Sequence, residues 1–446
     1  MTAKPINLAE LAPVFDRLLP LPLALAVSGG PDSTALMHLV AEWARGKGGD
    51  ACPAAGLPPL AVVTVNHGLR PESAAEAVFV AREAGKLGLP HATLVWHGEK
   101  PATGIQAAAR AARYGLLANY LADFGRTAVV TAHTEDDVAE TLLMRLARGS
   151  GADGLAAMSE RGRVHSCPVL RPLLAVPKAR LIETLRMRGL PWLEDPSNAN
   201  PNFERPRIRA ARNALQALGL ANSQLALSAR RLQRASAATT TAAEDLLATA
   251  ADLHEGAYGS AGHAAFASAP EEVALKALRH LLRIFGGESE PARLSQIEAL
   301  GAHLFAKGGD ESRPAMTLGG VMVDVAAPQI RLFREPGRTG LPAAPLAPGA
   351  VTLWDNRFSM GADAAYPDTV LIAALGAKGL ALVRQILPDG ARLPIPAEAA
   401  RTLPAFWKGE ELLAVPYLSV RFPPLAGPQG PAGPLLTAHF TPSLPA

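Results

Sequence analysis

The chain is 446 residues long, 49% hydrophobic and 19% charged, with a formal net charge of +3. That is enough apolar material for the cores of roughly two to four domains. The charge excess is too small to make the whole surface bind nucleic acid, so any such contact has to come from local clustering.

From the N-terminus, acidic Glu10 and Asp16 interrupt the apolar residues. No apolar run reaches the ~18 residues of a spanning helix, so neither export nor membrane insertion is expected. Leu23 to Val27 reads as a short, fully apolar strand, and Thr34 to Ala44 has the spacing of a helix packing back on it. A Gly/Pro-rich stretch from Gly46 to Pro59 leads to a second strand, Leu60 to Val65, and Ser73-x-x-Glu76 reads as a capping box opening the next helix. His91 to Trp96 is a third strand, Ile105 to Phe124 a long helix, Thr127 to Ala132 a fourth strand, and Glu135 to Arg148 a helix. Strand and helix alternating in this way predict a parallel sheet covered on both faces. Residues 213–307 are almost wholly helical in periodicity, and 315–334 alternates as strands around Gly319-Gly320, as a separate unit. The Pro-rich run from Gly337 to Pro348 reads as a linker. Residues 350–420 return to short strands with a helix near Ala374 to Ile386, and the last twenty or so residues read as a loosely ordered tail.

Two cysteines, Cys52 and Cys167, stand far apart and in no CxxC pair. This argues against a zinc knuckle, an iron–sulfur cluster or a disulfide scaffold and fits a reducing cytoplasm. Chemistry concentrates in the turn Ser28-Gly29-Gly30-Pro31-Asp32-Ser33 between the first strand and helix. Glycines permit close approach of backbone N–H groups to an anion, and the helix N-terminus adds partial positive charge. The turn is not a Walker A loop, because it has no Gly-Lys-[Ser/Thr] and carries an acid instead. A carboxylate beside phosphates makes sense if Asp32 holds Mg²⁺ while a nucleophile attacks the α-phosphate, which is adenylation. An ordinary helix start capped by Asp32 or Ser33 would not call for the paired glycines.

His133, Asp136, Asp137 and Glu140 fall at i, i+3, i+4 and i+7, on one helical face directed at the strand-end crevice. The alternative for any one of them is capping, since Thr134-x-x-Asp137 is itself a capping pair. Arg110 and Arg113, three apart on a helix, are bidentate donors for phosphate, or else part of a solvated face. Between 201 and 240 there are seven arginines (205, 207, 209, 212, 230, 231, 234) and one acid, Glu204, a basic tract suited to RNA. His67 and His97 end strands and read as hydrogen-bonded structural histidines before nucleotide contacts.

SGGPDS at 28–33, VNHGLRPES at 65–73, AARAARYGLL at 108–117 and AHTEDDVAETLLMRLARGSGADGL at 132–155 resemble the bacterial tRNA(Ile)-lysidine synthetase family, of the N-type PP-loop ATP pyrophosphatases. RPLLAVPKARL at 171–181, Asp195-Pro196-Ser197-Asn198, Phe203, Arg205 and Arg207-Ile208-Arg209 follow the same order. LGGVMVDV at 318–325 and RTLPAFWKGEELLAVPYL at 401–418 are similar to its more variable carboxyl regions. The resemblance implies an α/β fold: a parallel-sheet PP-loop (adenine nucleotide alpha hydrolase-like) catalytic domain over 1–215, a mainly helical tRNA-binding domain over 216–336 and a small α+β domain over 349–446. It also implies adenylation of the wobble cytidine of CAU-anticodon tRNA(Ile) at carbon 2 and displacement of AMP by L-lysine, with ATP and Mg²⁺ as cofactors. In that scheme Ser28, Gly29, Gly30, Pro31, Asp32 and Ser33 grip ATP, and Asp32 holds Mg²⁺. His133, Asp136, Asp137 and Glu140 hold lysine, with Asp137 the first candidate for base and Asp136 the second. Arg110, Arg113, Arg205, Arg207 and Arg209 take phosphate or tRNA. A homodimer is common in the resembled family, although no apolar stripe marks one here. Pro206 stands where the family more often has a polar residue, which puts the local backbone at Arg205 in question. A PP-loop thiolase would need catalytic or cluster-binding cysteines, and a non-catalytic RNA-binding protein would not need Asp32.

Overall fold

The computed structural model describes residues 3–46, 59–69, 72–101, 103–194, 204–254, 257–287, 292–306, 313–387, 392–418, 420–421 and 436–441. Cys52, most of the Gly46–Pro59 stretch, Asp195 to Asn198 and Phe203 lie outside them. The chain divides into two compact units, Met1–Ser236 and Ala237–Pro445, with the boundary inside one long helix.

In the first unit, in chain order, come α1 (Leu8–Leu18), β1 (Leu23–Ala26), α2 (Pro31–Gly46), β2 (Leu60–Asn66), α3 (Ser73–Lys86), β3 (His91–Val95), α4 (Ile105–Asp123), β4 (Ala128–Val130) and α5 (Glu135–Leu146). Then follow α6 (Ala152–Leu155), β5 (Arg161–Val164), β6 (Cys167–Leu170), α7 (Lys178–Met187), α8 (Glu204–Ala210), α9 (Arg212–Ala217) and α10 (Asn222–Ala250). The sheet order is β3-β2-β1-β4-β6-β5. All neighbours are parallel except β5, an antiparallel edge strand that departs from the all-parallel expectation. Because side chains alternate along a strand, β1 serves two cores. Leu23 and Leu25 pack with Leu36, Val40 and Leu181 on one face, while Ala24 packs with Tyr114, Leu117 and Val169 on the other. A third apolar cluster joins Val138, Ala139 and Leu142 of α5 to Leu225, Ala226 and Ala229 at the start of α10. This cluster fixes the helix that carries the acids.

The expected capping box at Ser73 does not form. Ser73 is already helical, and Glu72 ahead of it has helical dihedrals and no side-chain cap bond. At α8, Pro206 is the third residue, where an N–H would have no intrahelical acceptor, so the proline is accommodated and the helix is intact.

The second unit takes in the remainder of α10 and contains β7 (Ala251–His254), β8 (Tyr258–Gly262), α11 (His263–Ser268), α12 (Glu271–Gly286), α13 (Leu294–Leu304), β9 (Arg313–Leu318), β10 (Val321–Ala326) and β11 (Gln329–Arg334). It continues with β12 (Ala344–Leu346), β13 (Val351–Trp354), β14 (Phe358–Ala362), β15 (Val370–Ala374), α14 (Gly376–Ile386), α15 (Ala397–Arg401), β16 (Pro404–Lys408), β17 (Glu411–Val415), β18 (Val420–Arg421) and β19 (Leu436–Phe440). Three expectations fail here. The helical reading of 213–307 missed β7 and β8; β7 pairs with β8 and β8 with β11 in a sheet of order β7-β8-β11-β10-β9, so 315–334 is no separate unit. Within the supposed linker, Ala344–Leu346 pairs with β15, and in the supposed tail Leu436–Phe440 pairs with β14. Asp355 accepts both Arg334 (2.8 and 3.0 Å) and Arg357 (2.7 Å), a buried ionic knot between the strands on either side of 335–350.

Candidate active site

The chain leaves β1 for β2 and β3 on one side, then returns to place β4 on the other. Ligands in open parallel sheets bind at such a switch point, outside the carboxyl ends of the strands. Here the segments leaving β1 and β4 are the Ser28–Ser33 turn and the approach to α5.

The turn is braced from within. Gly29 has φ +86°, and a Cβ there would lie 2.9 Å from Leu193 Cδ1. The Gly29 carbonyl accepts from the Leu193 N–H (2.9 Å) and the Thr34 hydroxyl (3.1 Å). Buried Ser33 donates its hydroxyl to the Gly30 carbonyl (3.1 Å) and accepts from the Ser28 N–H (3.2 Å). A Cβ at Gly30 would meet nothing nearer than Ser28 Oγ at 3.8 Å, so the backbone there is open to an approaching group. Pro31 is the first residue of α2, where its fixed φ suits the helix, and the first N–H groups of α2 have no intrahelical acceptor. The result is a braced turn whose open backbone and free helix N-terminus have the chemistry to receive an anion, with Asp32 at its mouth.

Asp136, Asp137 and Glu140 do share a face of α5, but His133 precedes its N-cap, Thr134, and its Nδ1 lies 2.8 Å from Thr131 Oγ1. The four side chains read as one helical face are therefore three on the helix and one in the connection. Asp137 Oδ2 accepts from the Thr134 N–H and hydroxyl, both at 2.9 Å, so it does cap the helix. Its Oδ1 accepts from Arg205 at 3.2 Å. Glu140 takes Arg209 in a two-pronged pair (2.6 and 3.1 Å), and Asp136 Oδ1 accepts from Arg212 (2.6 Å) and Asn222 (2.9 Å). The acids and three of the seven arginines, read as two separate surfaces, are each other's partners. Arg207, Arg230, Arg231 and Arg234 remain exposed.

Sequence reasoning missed Lys178. Its backbone N–H donates to Asp136 Oδ2 (2.8 Å) and its Nζ to Asp32 Oδ2 (2.7 Å), so one residue ties the phosphate turn to the acid helix. Its only signal was its place in the RPLLAVPKARL segment. Asn222 and Thr134 were also unassigned. On the other flank, Arg113 donates to His67 Nε2 (3.0 Å), and Arg110 lies over the Tyr114 ring at 5.1 Å. His97 is exposed.

Burial pushes the Asp32 carboxyl up, with Lys178 pulling it down and Asp137 and Asp136 adding to the rise. Burial would also raise Asp137, but His133, the Thr134 donors and Arg205 outweigh it and hold the carboxyl below its usual range. Burial drives His133 down to about 4, and His67 likewise to about 4 with help from Arg113, so both imidazoles are neutral at pH 7.

Among the described residues no cluster of three or more His, Cys, Asp or Glu forms a metal cage. The donor set nevertheless suits Mg²⁺, which is commonly held by one or two carboxylates together with nucleotide phosphates and water. Asp32 Oδ1 is buried without a hydrogen-bond partner among the described residues, an oxygen left for such a ligand.

An anion turn without a lysine, opening a helix at the switch point of a parallel sheet and carrying an aspartate at its mouth, defines a nucleotide-binding domain of the PP-loop class. Residues 10–215 match the PP-loop domain family. The chain is 45% identical over 332 residues to a tRNA(Ile)-lysidine synthase from Bradyrhizobium sp. (strain BTAi1), covering 71% of this chain and 90% of that one. It is 44% identical over 345 residues to the enzyme of that name from Methylobacterium nodulans (75% and 98% covered), and 39% over 399 residues to that from Ruegeria pomeroyi (88% of each). The chain belongs to the tRNA(Ile)-lysidine synthase family, and it is an enzyme.

Proposed function

We propose that this enzyme joins L-lysine to carbon 2 of the wobble cytidine in CAU-anticodon tRNA(Ile), forming lysidine with release of AMP and pyrophosphate. The observation that carries the reading is the meeting, at one strand-end crevice, of an ATP-type phosphate turn and a carboxylate-rich helix in a chain of this family. The cytidine carbonyl oxygen attacks the α-phosphate and pyrophosphate leaves. The lysine ε-amine then attacks carbon 2, loses a proton and expels AMP. Bound at Asp32, Mg²⁺ would supply charge for the leaving pyrophosphate.

Ser28 to Ser33 cradle the phosphates. Asp137, ionised and fixed by Thr134, is the group suited to receive the amine's proton, with Asp136 second and Glu140 and neutral His133 lining the lysine site. Because these carboxylates already hold arginines, lysine enters by exchange with them. Exposed Arg207, Arg230, Arg231 and Arg234 face RNA phosphate, with Arg110 and Arg113 on the opposite flank and Arg205 and Arg209 available when α5 releases them. Residues 1–215 act as the catalytic part, with 216–336 and 349–446 holding tRNA. The changed base would switch decoding from AUG to AUA and aminoacylation from methionine to isoleucine. No described helix is long and apolar enough to cross a membrane, and the cytoplasm, where tRNA is modified, is the proposed location.

Radiolabelled lysine, ATP, Mg²⁺ and total bacterial tRNA test the reading. Label resistant to mild alkaline deacylation on the CAU-anticodon isoleucine tRNA is expected. Its absence, with the protein folded and tRNA bound, would overturn the reading.

A further inference from the structure

The phosphate turn lacks the lysine that P-loop enzymes place inside it, yet a polyphosphate brings several negative charges to a cradle whose own side chain is the acid Asp32. The cation paired with that acid comes from α7, which packs beside α2 on the same face of the sheet. Lys178 opens α7, and its position is fixed on two sides. The Val176 carbonyl accepts from the Glu135 N–H (3.0 Å), and the Lys178 N–H donates to Asp136 (2.8 Å). The side chain then spans to Asp32, with Nζ 2.7 Å from Oδ2.

A purely structural pairing explains this poorly. Lys178 is 34% exposed and Asp32 22%, and pairs open to solvent contribute little to stability. The carboxylate is also only half used, because its Oδ1 is buried without a partner among the described residues. An ammonium has three donors, and Asp32 takes one of them.

We propose that Lys178 is a polyphosphate-binding residue, supplying from α7 the cation that the turn lacks and contacting the pyrophosphate portion of ATP while Asp32 is left to its metal ligand. This rests on reading Ser28–Ser33 as the ATP phosphate site and goes beyond it by assigning a residue outside the turn. Lys178 and the backbone N–H groups of α2 then grip the leaving pyrophosphate from two sides.

The test uses the full-length protein and calorimetric binding of inorganic pyrophosphate, and of ATP, in the presence of a chelator, with no tRNA or lysine. Lys178→Gln is expected to weaken pyrophosphate binding about tenfold, the order of one charge-assisted hydrogen bond, and Lys178→Arg to restore most of it. Removing the lysine also uncovers the Asp32 charge, which by itself repels an anion. Asp32→Asn is therefore compared with Asp32→Asn/Lys178→Gln, where that repulsion is gone. A loss of about tenfold between these two supports direct contact, whereas equal binding shows that Lys178 merely neutralises Asp32 and overturns the proposal. If the wild-type protein binds ATP while Lys178→Gln binds it equally well, the proposal falls and the phosphate turn stands. If the folded wild-type protein binds neither ligand, both fall.

Discussion

The pairing of α5 with α8 makes an asymmetric prediction. Glu140 is 4% exposed and its partner Arg209 33%, and the described residues give Glu140 no other ion-pair partner. Arg209→Ala therefore strands a buried carboxylate, whereas Glu140→Gln leaves an arginine that can turn to water and keeps an oxygen to accept from it. Breaking a fully buried pair costs about 3–5 kcal/mol and an exposed one about 0.2–1 kcal/mol. With one partner a third exposed, about 2–3 kcal/mol is expected for Arg209→Ala, and about 1 kcal/mol for Glu140→Gln. Hydrogen exchange of the α8 amides in the full-length protein reads this locally, because the cost appears as easier opening of the helix. Protection should fall about 30- to 150-fold in Arg209→Ala and about fivefold in Glu140→Gln. In the double variant the stranded charge is gone, so protection should recover to within about tenfold of wild type. Equal losses in the two single variants, or a double loss equal to their sum, would refute the account of Glu140 as a buried charge that needs its arginine.

Asp32→Ala should abolish turnover with the fold retained, and normal lysine incorporation by that variant would remove Asp32 from the mechanism. Gly29→Ala places a Cβ 2.9 Å from Leu193 at φ +86°, so ATP binding measured by calorimetry should weaken at least about tenfold; unchanged affinity would show that the turn relaxes freely. The His133 pKa lies at about 4, below its ordinary value of 6.5, so stability from its neutral state is full above pH 6.5 and is lost as pH falls from 6.5 through 4. The loss is on the order of 2 kcal/mol after allowing for partial solvent access, and an NMR titration of His133 with its midpoint near 6.5 would contradict it. The same titration places Asp137 in a separate window. Its lowered carboxyl gives stability that is full above its ordinary value of 3.8 and lost only below it. Cys167 is buried, with its thiol pushed up to about 11, so in a Cys52→Ser background it should resist alkylation until denaturant is added.

Much of the first unit is legible in the sequence because strand and helix periodicities alternate there without competition. α1 is not, because Pro13 lies inside its pattern and its capping box uses Asn7 and Glu10 instead of the usual hydroxyl. β7 and β8 hid in Ala/Gly-rich sequence with no β-branched residue; what makes them strands is the pairing of β8 with β11, some seventy residues away, and of β7 with β8, which local propensity does not record. The same limit governs the site. Spacing put Asp136, Asp137 and Glu140 on one face, but their partners Arg212, Arg205 and Arg209 lie 76, 68 and 69 residues downstream, and charge runs do not reveal which opposite run they meet.

That pairing changes what the charges can be said to do. Asp32, Asp136, Asp137 and Glu140 are matched by Lys178, Arg212, Arg205 and Arg209, four acids by four bases. A crevice balanced in this way offers no ready cation hole for lysine, and its paired arginines, unlike exposed Arg207, Arg230, Arg231 and Arg234, are not a standing patch for RNA. Each incoming charge has to displace a resident one: phosphate competes with a carboxylate for an arginine, and an ammonium competes with an arginine for a carboxylate. Under the proposed roles the two exchanges favour each other, because an arginine drawn to RNA leaves behind a carboxylate that an amine can take. Lysine binding measured with and without bound tRNA should therefore be cooperative. The coupling should weaken with salt and should be lost in Arg205→Gln, where Asp137 is uncovered from the start. Lysine affinity that is the same with and without tRNA would show that the arginines stay where they are.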